Sequence, residues 1–167
     1  MNYELEFLDI VNDLLENELV KDMKKYPHHF DTNCYKHSLN VAYISYLKAK
    51  EKGLDYKSVA RAGLLHDLYL YDWHNYKGKL HGLNHPKVAY KNAKKITTLN
   101  DIEKDIITKH MWPLTLTPPK YKESWIVSTT DKLCAINDYL TYRKKYKRHN
   151  KLTTLASTLL IMIIIKL

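Results

Sequence analysis

Glycine and proline are scarce in this chain, nine positions together in 167 residues. A collagen-like or low-complexity protein is excluded, and few glycines with long periodic stretches favour an all-α chain. Cysteine is nearly absent. Cys34 and Cys134 lie far apart and form no CxxC pair, which suits free thiols in a reducing cytoplasm. The opening Met-Asn-Tyr-Glu-Leu-Glu has no apolar run of the signal-peptide kind. No internal repeat is visible. Arginine is scarce and the lysines are spread out, so we expect no duplex nucleic-acid partner. The formal charge of +9 and pI near 9.3 remain compatible with phosphorylated ligands, nucleic acid or an anionic membrane.

Hydrophobic residues make up 45% of the chain, enough for a real core in a single domain. Leu5, Leu8, Val11, Leu15, Leu19 and Met23 recur at helical spacing and predict a first helix over 3–25. Pro27-His28-His29-Phe30 reads as a loop with its histidines exposed. A second helix is expected over 33–52, stopped by Gly53. Asp55 can cap a third over 56–68, and an aromatic, aperiodic loop follows to Gly82. Asn84-His85-Pro86 suits the start of a fourth helix, to about residue 96. Asn100 and Glu103 form a capping-box pattern for a fifth over 101–111. A sixth is expected over 122–146.

Within these helices, polar residues stand on apolar stripes. His37 lies in the row Val41, Ile44, Leu47; His66 follows Val59 and Ala62. His85 shares a face with Val88 and Ala89, and His110 follows Ile102 and Ile106. Asp131 lies between Val127 and Cys134, and Asp67 directly follows His66. One buried polar residue is routine. Five on five helices, each facing the core, need a shared partner, and His with Asp are metal ligands.

The order His37, His66-Asp67, Asp131 resembles the HD-domain superfamily of metal-dependent phosphohydrolases over roughly residues 33–140. The segments Leu64-Leu-His-Asp, His85-Pro-Lys-Val-Ala and Ile106-Ile-Thr-Lys-His110 are similar to a five-His, two-Asp subgroup, nearest in pattern to small bacterial diadenosine tetraphosphate hydrolases. Tyr69, Leu70 and Tyr71 depart from the cyclic-dinucleotide and (p)ppGpp branches. The resemblance implies an HD-type helical bundle with His37, His66, Asp67 and Asp131 on one metal, and His85 and His110 on a second bridged by Asp67. The implied ions are iron, manganese, cobalt or nickel, with magnesium as a further choice. His66 and Asp67 would be central to metal-hydroxide attack on phosphorus.

The expected partner is a small phosphorylated molecule, a nucleotide by preference. Candidate contacts are Trp73, Lys79, His81, Lys109, Trp112 and Lys132, chosen for adjacency to the motifs. Two alternatives stay open, a non-catalytic metal or nucleotide sensor and a di-iron oxygenase on the same scaffold. Residues 1–150 are taken as the domain and 151–167 as an apolar tail. Its basic flank, 141–151, would suit a membrane-surface anchor, but a docked terminal element is the preferred reading. The sequence leaves the oligomeric state open.

Overall fold

In the computed structural model of the chain, residues 2–75 and 80–165 are described, with side chains through Lys147. The elements are α1 (Tyr3–Leu15), α2 (Glu18–Asp22), α3 (Cys34–Glu51), α4 (Tyr56–Leu65), α5 (His81–Ile96), α6 (Asp101–Lys109) and α7 (Lys122–Ile165), with short 3₁₀ turns at Met23–Lys25 and Trp73–Asn75. No strand occurs among the described residues; one isolated bridge joins Pro27 and Asn33. The all-α expectation holds.

Local chemistry explains most boundaries. Asn33 caps α3 through Lys36 N–H, and Gly53, at φ 64°, leaves it in the left-handed conformation. Asp55 Oδ1 accepts from Ser58 N–H at the start of α4. The Asn100–Glu103 capping box opens α6 in both directions.

Four boundaries differ from the periodicity. The first expected helix breaks after Leu15, because Asn17 turns its side chain onto Leu19 N–H and starts α2 afresh. α4 stops at Leu65, so His66 is its C-cap and Asp67 lies just beyond, where Tyr69 N–H donates to Asp67 O at 2.8 Å. α5 starts a turn early, at His81, after left-handed Leu80, which puts Pro86 inside the helix. α7 runs past the expected end at 146 and on to Ile165. The docking expected for residues 151–167 involves side chains outside those described. No described helix is long and apolar enough to cross a membrane.

α3 and α4 form the most extensive pairing, and α7 packs on α3 and α6. Val41, Ala42, Tyr46, Leu64, Leu65, Ile106, Ile107 and Val127 are buried in the core between them. Arg61 on α4 ties α1 down with a two-pronged bond to Asp13, at 2.6 and 2.9 Å, and a third to Ile10 O. The α3–α4 contact depends on Gly63. A Cβ there would stand 2.9 Å from Ala42 Cα, which is backbone and cannot step aside. Gly63→Ala is therefore expected to cost about 1–3 kcal/mol through overpacking, a fall in Tm of several degrees for a domain of this size. Thermal unfolding followed by circular dichroism checks it, and an unchanged Tm would contradict the close approach.

Candidate metal centre

The ends of α4 and α6, the first half of α5 and the inner faces of α3 and α7 converge on one buried point. His37, His66, Asp67, His85, His110 and Asp131 meet there, none more than 9% exposed. The donor atoms of His37, His66 and Asp131 lie within 4.8 Å of one another, as do those of His66, Asp67 and His110.

The hydrogen bonds show which ring nitrogens carry protons. Nδ1 of His66, His85 and His110 faces the carbonyl oxygens of Gly63 (2.7 Å), His81 (3.1 Å) and Ile107 (2.9 Å). A carbonyl only accepts, so each Nδ1 donates, and in the neutral ring that metal binding requires each Nε2 carries a bare lone pair. These lone pairs point at one another. His85 Nε2 and His110 Nε2 stand 2.8 Å apart with no proton to share. His66 Nε2 and Asp67 Oδ1 are buried without a hydrogen-bond partner among the described residues. Such an arrangement is unfavourable unless a cation satisfies it. The residues present fit divalent metal.

Asp67 stands between two donor sets. Its Oδ1 faces His85 Nε2 (3.2 Å) and His110 Nε2 (3.5 Å). Its Oδ2 faces His66 Nε2 (3.5 Å) and His28 Nε2 (3.0 Å). On the inner side His37 Nε2 lies 3.0 Å from Asp131 Oδ1. Burial opposes charge on Asp67, but a proton on His66, favoured there against burial by Asp67 and Asp131, and hydrogen bonds from His28 and His85 outweigh it and hold the carboxyl well below its usual range, a role a bound cation would take over. Asp131 is held low in the same way by His37 and His66. Burial also opposes charge on His37, yet Asp131 and Asp138 raise it to about 9. Burial, reinforced by His66 and His85, pushes His110 down to about 3.

A cavity of about 290 Å³ opens onto Asp67, His85, His110 and Asp131. Three of the candidate substrate contacts, Trp73, His81 and Lys132, line it, with Tyr69, Gly82 and Met111. Lys132 is less available than its position suggests, since its Nζ donates to His110 O, Ser128 O and Ser128 Oγ at 2.9–3.0 Å. Lys109 and Trp112 do not line the cavity. Lys109 faces a separate cleft with Asp105 and Lys120, and Trp112 packs edge-on against Trp125. Lys79 lies outside the described residues.

Two site residues were missed from the sequence. Asp138 lies 3.5 Å from His37 Nδ1, and its spacing of seven from Asp131 on α7 was the available signal. His28, expected exposed, is 6% exposed and donates Nε2–H to Asp67 Oδ2. Trp73 Nε1–H holds the loop by bonding His28 O at 2.9 Å, a contact no local pattern announces. His28 stacks on His37 with centroids 3.7 Å apart and planes 19° apart. A metal sits in the plane of its imidazole ligand, and two planes so nearly parallel do not meet within bonding distance. The donor atoms of His28, His37 and Asp67 also lie within 4.8 Å of one another, but this stacking favours a role for His28 in orienting Asp67 over a shared ion with His37.

The HD-domain profile matches residues 34–136. The chain belongs to the HD-domain family. It is also similar to ribonuclease Y of Geobacter metallireducens (48% identical over 44 residues, 26% of this chain and 8% of the relative) and of Pelobacter propionicus (50% over 44 residues, 26% and 8%). The match to ribonuclease Y of Clostridium novyi is 45% over 56 residues, 32% of this chain and 11% of the relative. The chain thus spans about a tenth of these relatives. No solved structure matches. HD domains are metal-dependent phosphohydrolases that hold divalent ions, and the described His/Asp groups of this one can do so.

Two measurements test the centre. Below pH 9 the proton on His37 must leave before its Nε2 can bind metal, so apparent affinity should rise roughly tenfold per pH unit toward 9 and level off above it. A flat chelator-competition profile between pH 6 and 9 would remove His37 from the ligand set. Asp138→Asn takes the charge from behind His37 Nδ1 and should weaken metal about 10–100-fold, read by the same competition.

Proposed function

We propose that this HD domain hydrolyses phosphoester or phosphoanhydride bonds in a small, nucleotide-sized substrate at a two-metal centre. His37, His66, Asp67 and Asp131 would hold the inner ion, and Asp67, His85 and His110 the outer one. The observation that carries this reading is Asp67, with one oxygen toward each donor set. An imidazole-rich set favours iron, manganese, cobalt or nickel over magnesium. Bound ions would supply Lewis acidity and a water of lowered pKa.

The chain's own residues contribute placement. His28, donating to Asp67 Oδ2, keeps the bridging carboxylate from rotating. Burial holds His28 down at about 4, so it stays a neutral donor at pH 7. Trp73 and His81 line the cavity with rings 5.7 Å apart and roughly parallel at 24°, an aromatic wall against which a base can pack. Burial, helped by His85, pushes His81 down to about 4, so it too is neutral there. The two extra histidines resemble the pattern of small diadenosine tetraphosphate hydrolases, and the ribonuclease Y relatives are named for cleavage of RNA. Phosphorus–oxygen bond hydrolysis is common to both.

Protein purified without chelator should carry up to two transition-metal ions per chain by elemental analysis. It should hydrolyse at least one of a generic aryl phosphate, a diadenosine polyphosphate and a set of mononucleotides. Asp67→Ala should lower the metal content and cut turnover by roughly a thousandfold, the several kcal/mol that metal assistance supplies, with helical circular dichroism retained. Near-wild-type turnover in that variant would remove the reading. Trp73→Ala should raise KM with the metal content unchanged.

A further inference from the structure

One surface is left over by the metal centre. Phe30, in the loop before α3, has a φ of 57°, uncommon for a bulky residue, and its side chain is 47% exposed. Its ring meets Tyr139 at 5.3 Å and stacks on Tyr142 at 5.1 Å, both on α7. Tyr142 in turn stacks near Tyr146 at 6.3 Å, with planes 17° apart. All three tyrosines are exposed and occupy one helical face at i, i+3, i+7.

Cations flank this row. Helical spacing sets Arg143 and Lys147 along one side of the tyrosines and Lys145 along the other, all exposed. Asp31 pairs with Lys145 at 2.6 Å, and Asp138 faces His37, so Arg143 and Lys147 keep the row positive. The groove beside Phe30 and Tyr142, about 190 Å³, includes His29, which also lines the metal cavity. His29 thus stands where the two openings adjoin.

We propose that the Phe30 loop and this face of α7 form a docking track for single-stranded nucleic acid, running from Tyr146 past His29 toward the metal centre. Unpaired bases offer π faces to the rings, and the sugar–phosphate chain offers charge to the flanking cations. A duplex hides its base faces and would engage the cations alone. The docking step does not require the hydrolytic reading; it would extend the substrate range from a nucleotide to the end of a strand.

The test uses the metal-loaded protein and a labelled phosphorothioate strand of about ten nucleotides, within the usual footprint of such surfaces, followed by fluorescence anisotropy. The strand should bind at least tenfold tighter than a duplex of the same length. Phe30→Ala with Tyr142→Ala should weaken it by tenfold or more, as expected for the loss of base–ring stacking. Tyr142→Phe, which keeps the ring, should bind as the wild type. Arg143→Gln with Lys147→Gln should flatten the salt dependence by roughly one to two units of slope. Hydrolysis of a generic aryl phosphate should be unchanged in all three variants. Equal affinity for duplex and single strand, or an unaltered affinity in the double alanine variant, overturns the proposal. If the wild type binds the strand but hydrolyses no phosphate, the docking stands and the phosphohydrolase reading fails instead.

Discussion

Asp67 is the constraint on which the rest of the centre depends. Its carboxylate is buried and ionised, with four imidazoles around it. Left alone in an apolar core, such a charge would neutralise itself by taking up a proton. Here the surroundings hold the proton off. The helix ends explain how four rings can approach one carboxylate. His66 and His110 are C-caps, where the last carbonyls of a helix lack intrahelical partners. Each ring satisfies one such carbonyl through Nδ1, and that bond fixes Nε2 toward Asp67. Helix termination and ligand orientation are thus one arrangement.

The sequence showed this pattern because burial and polarity conflict visibly there. A histidine in a row of Val, Ile and Leu is an anomaly that helical spacing exposes, and several such anomalies on different helices imply a common partner. The capping signals at Asp55 and Asn100 were legible for a similar reason, since they act within three residues. What spacing could not show was where a helix yields to a competing local bond. Asn17 caps a new helix inside an unbroken apolar period, and Leu80 enters α5 a turn before the Asn-His-Pro signal.

Contacts distant in sequence were the larger gap. His28 lies in a stretch that reads as an ordinary polar loop. Its burial comes from Trp73, 45 positions away, and from Asp67, 39 positions away. The expectation of no duplex partner likewise came from how arginine and lysine are spread along the chain. The exposed row includes Phe30, which joins the α7 tyrosines only through the fold.

The energetics assign these groups to function. Replacing buried ionic clusters by well-packed apolar residues of similar volume is often neutral or stabilising. Ser128 and Lys132, both bonded to His110 O, support a ligand and do not fill the core. A chain selected for stability alone would place leucine or valine at the positions of His37, His66, His85 and His110. The apolar neighbours Val41, Leu65, Ala89 and Ile106 are fully buried around them, so the core already has the means to close. It stays polar at its centre because a cation would make that arrangement favourable, coupling the folded state to metal binding. The tight α3–α4 contact at Gly63 then has a second consequence. It brings the His37-bearing helix against the helix that ends in His66, and so sets the distance between two donors that a metal must span.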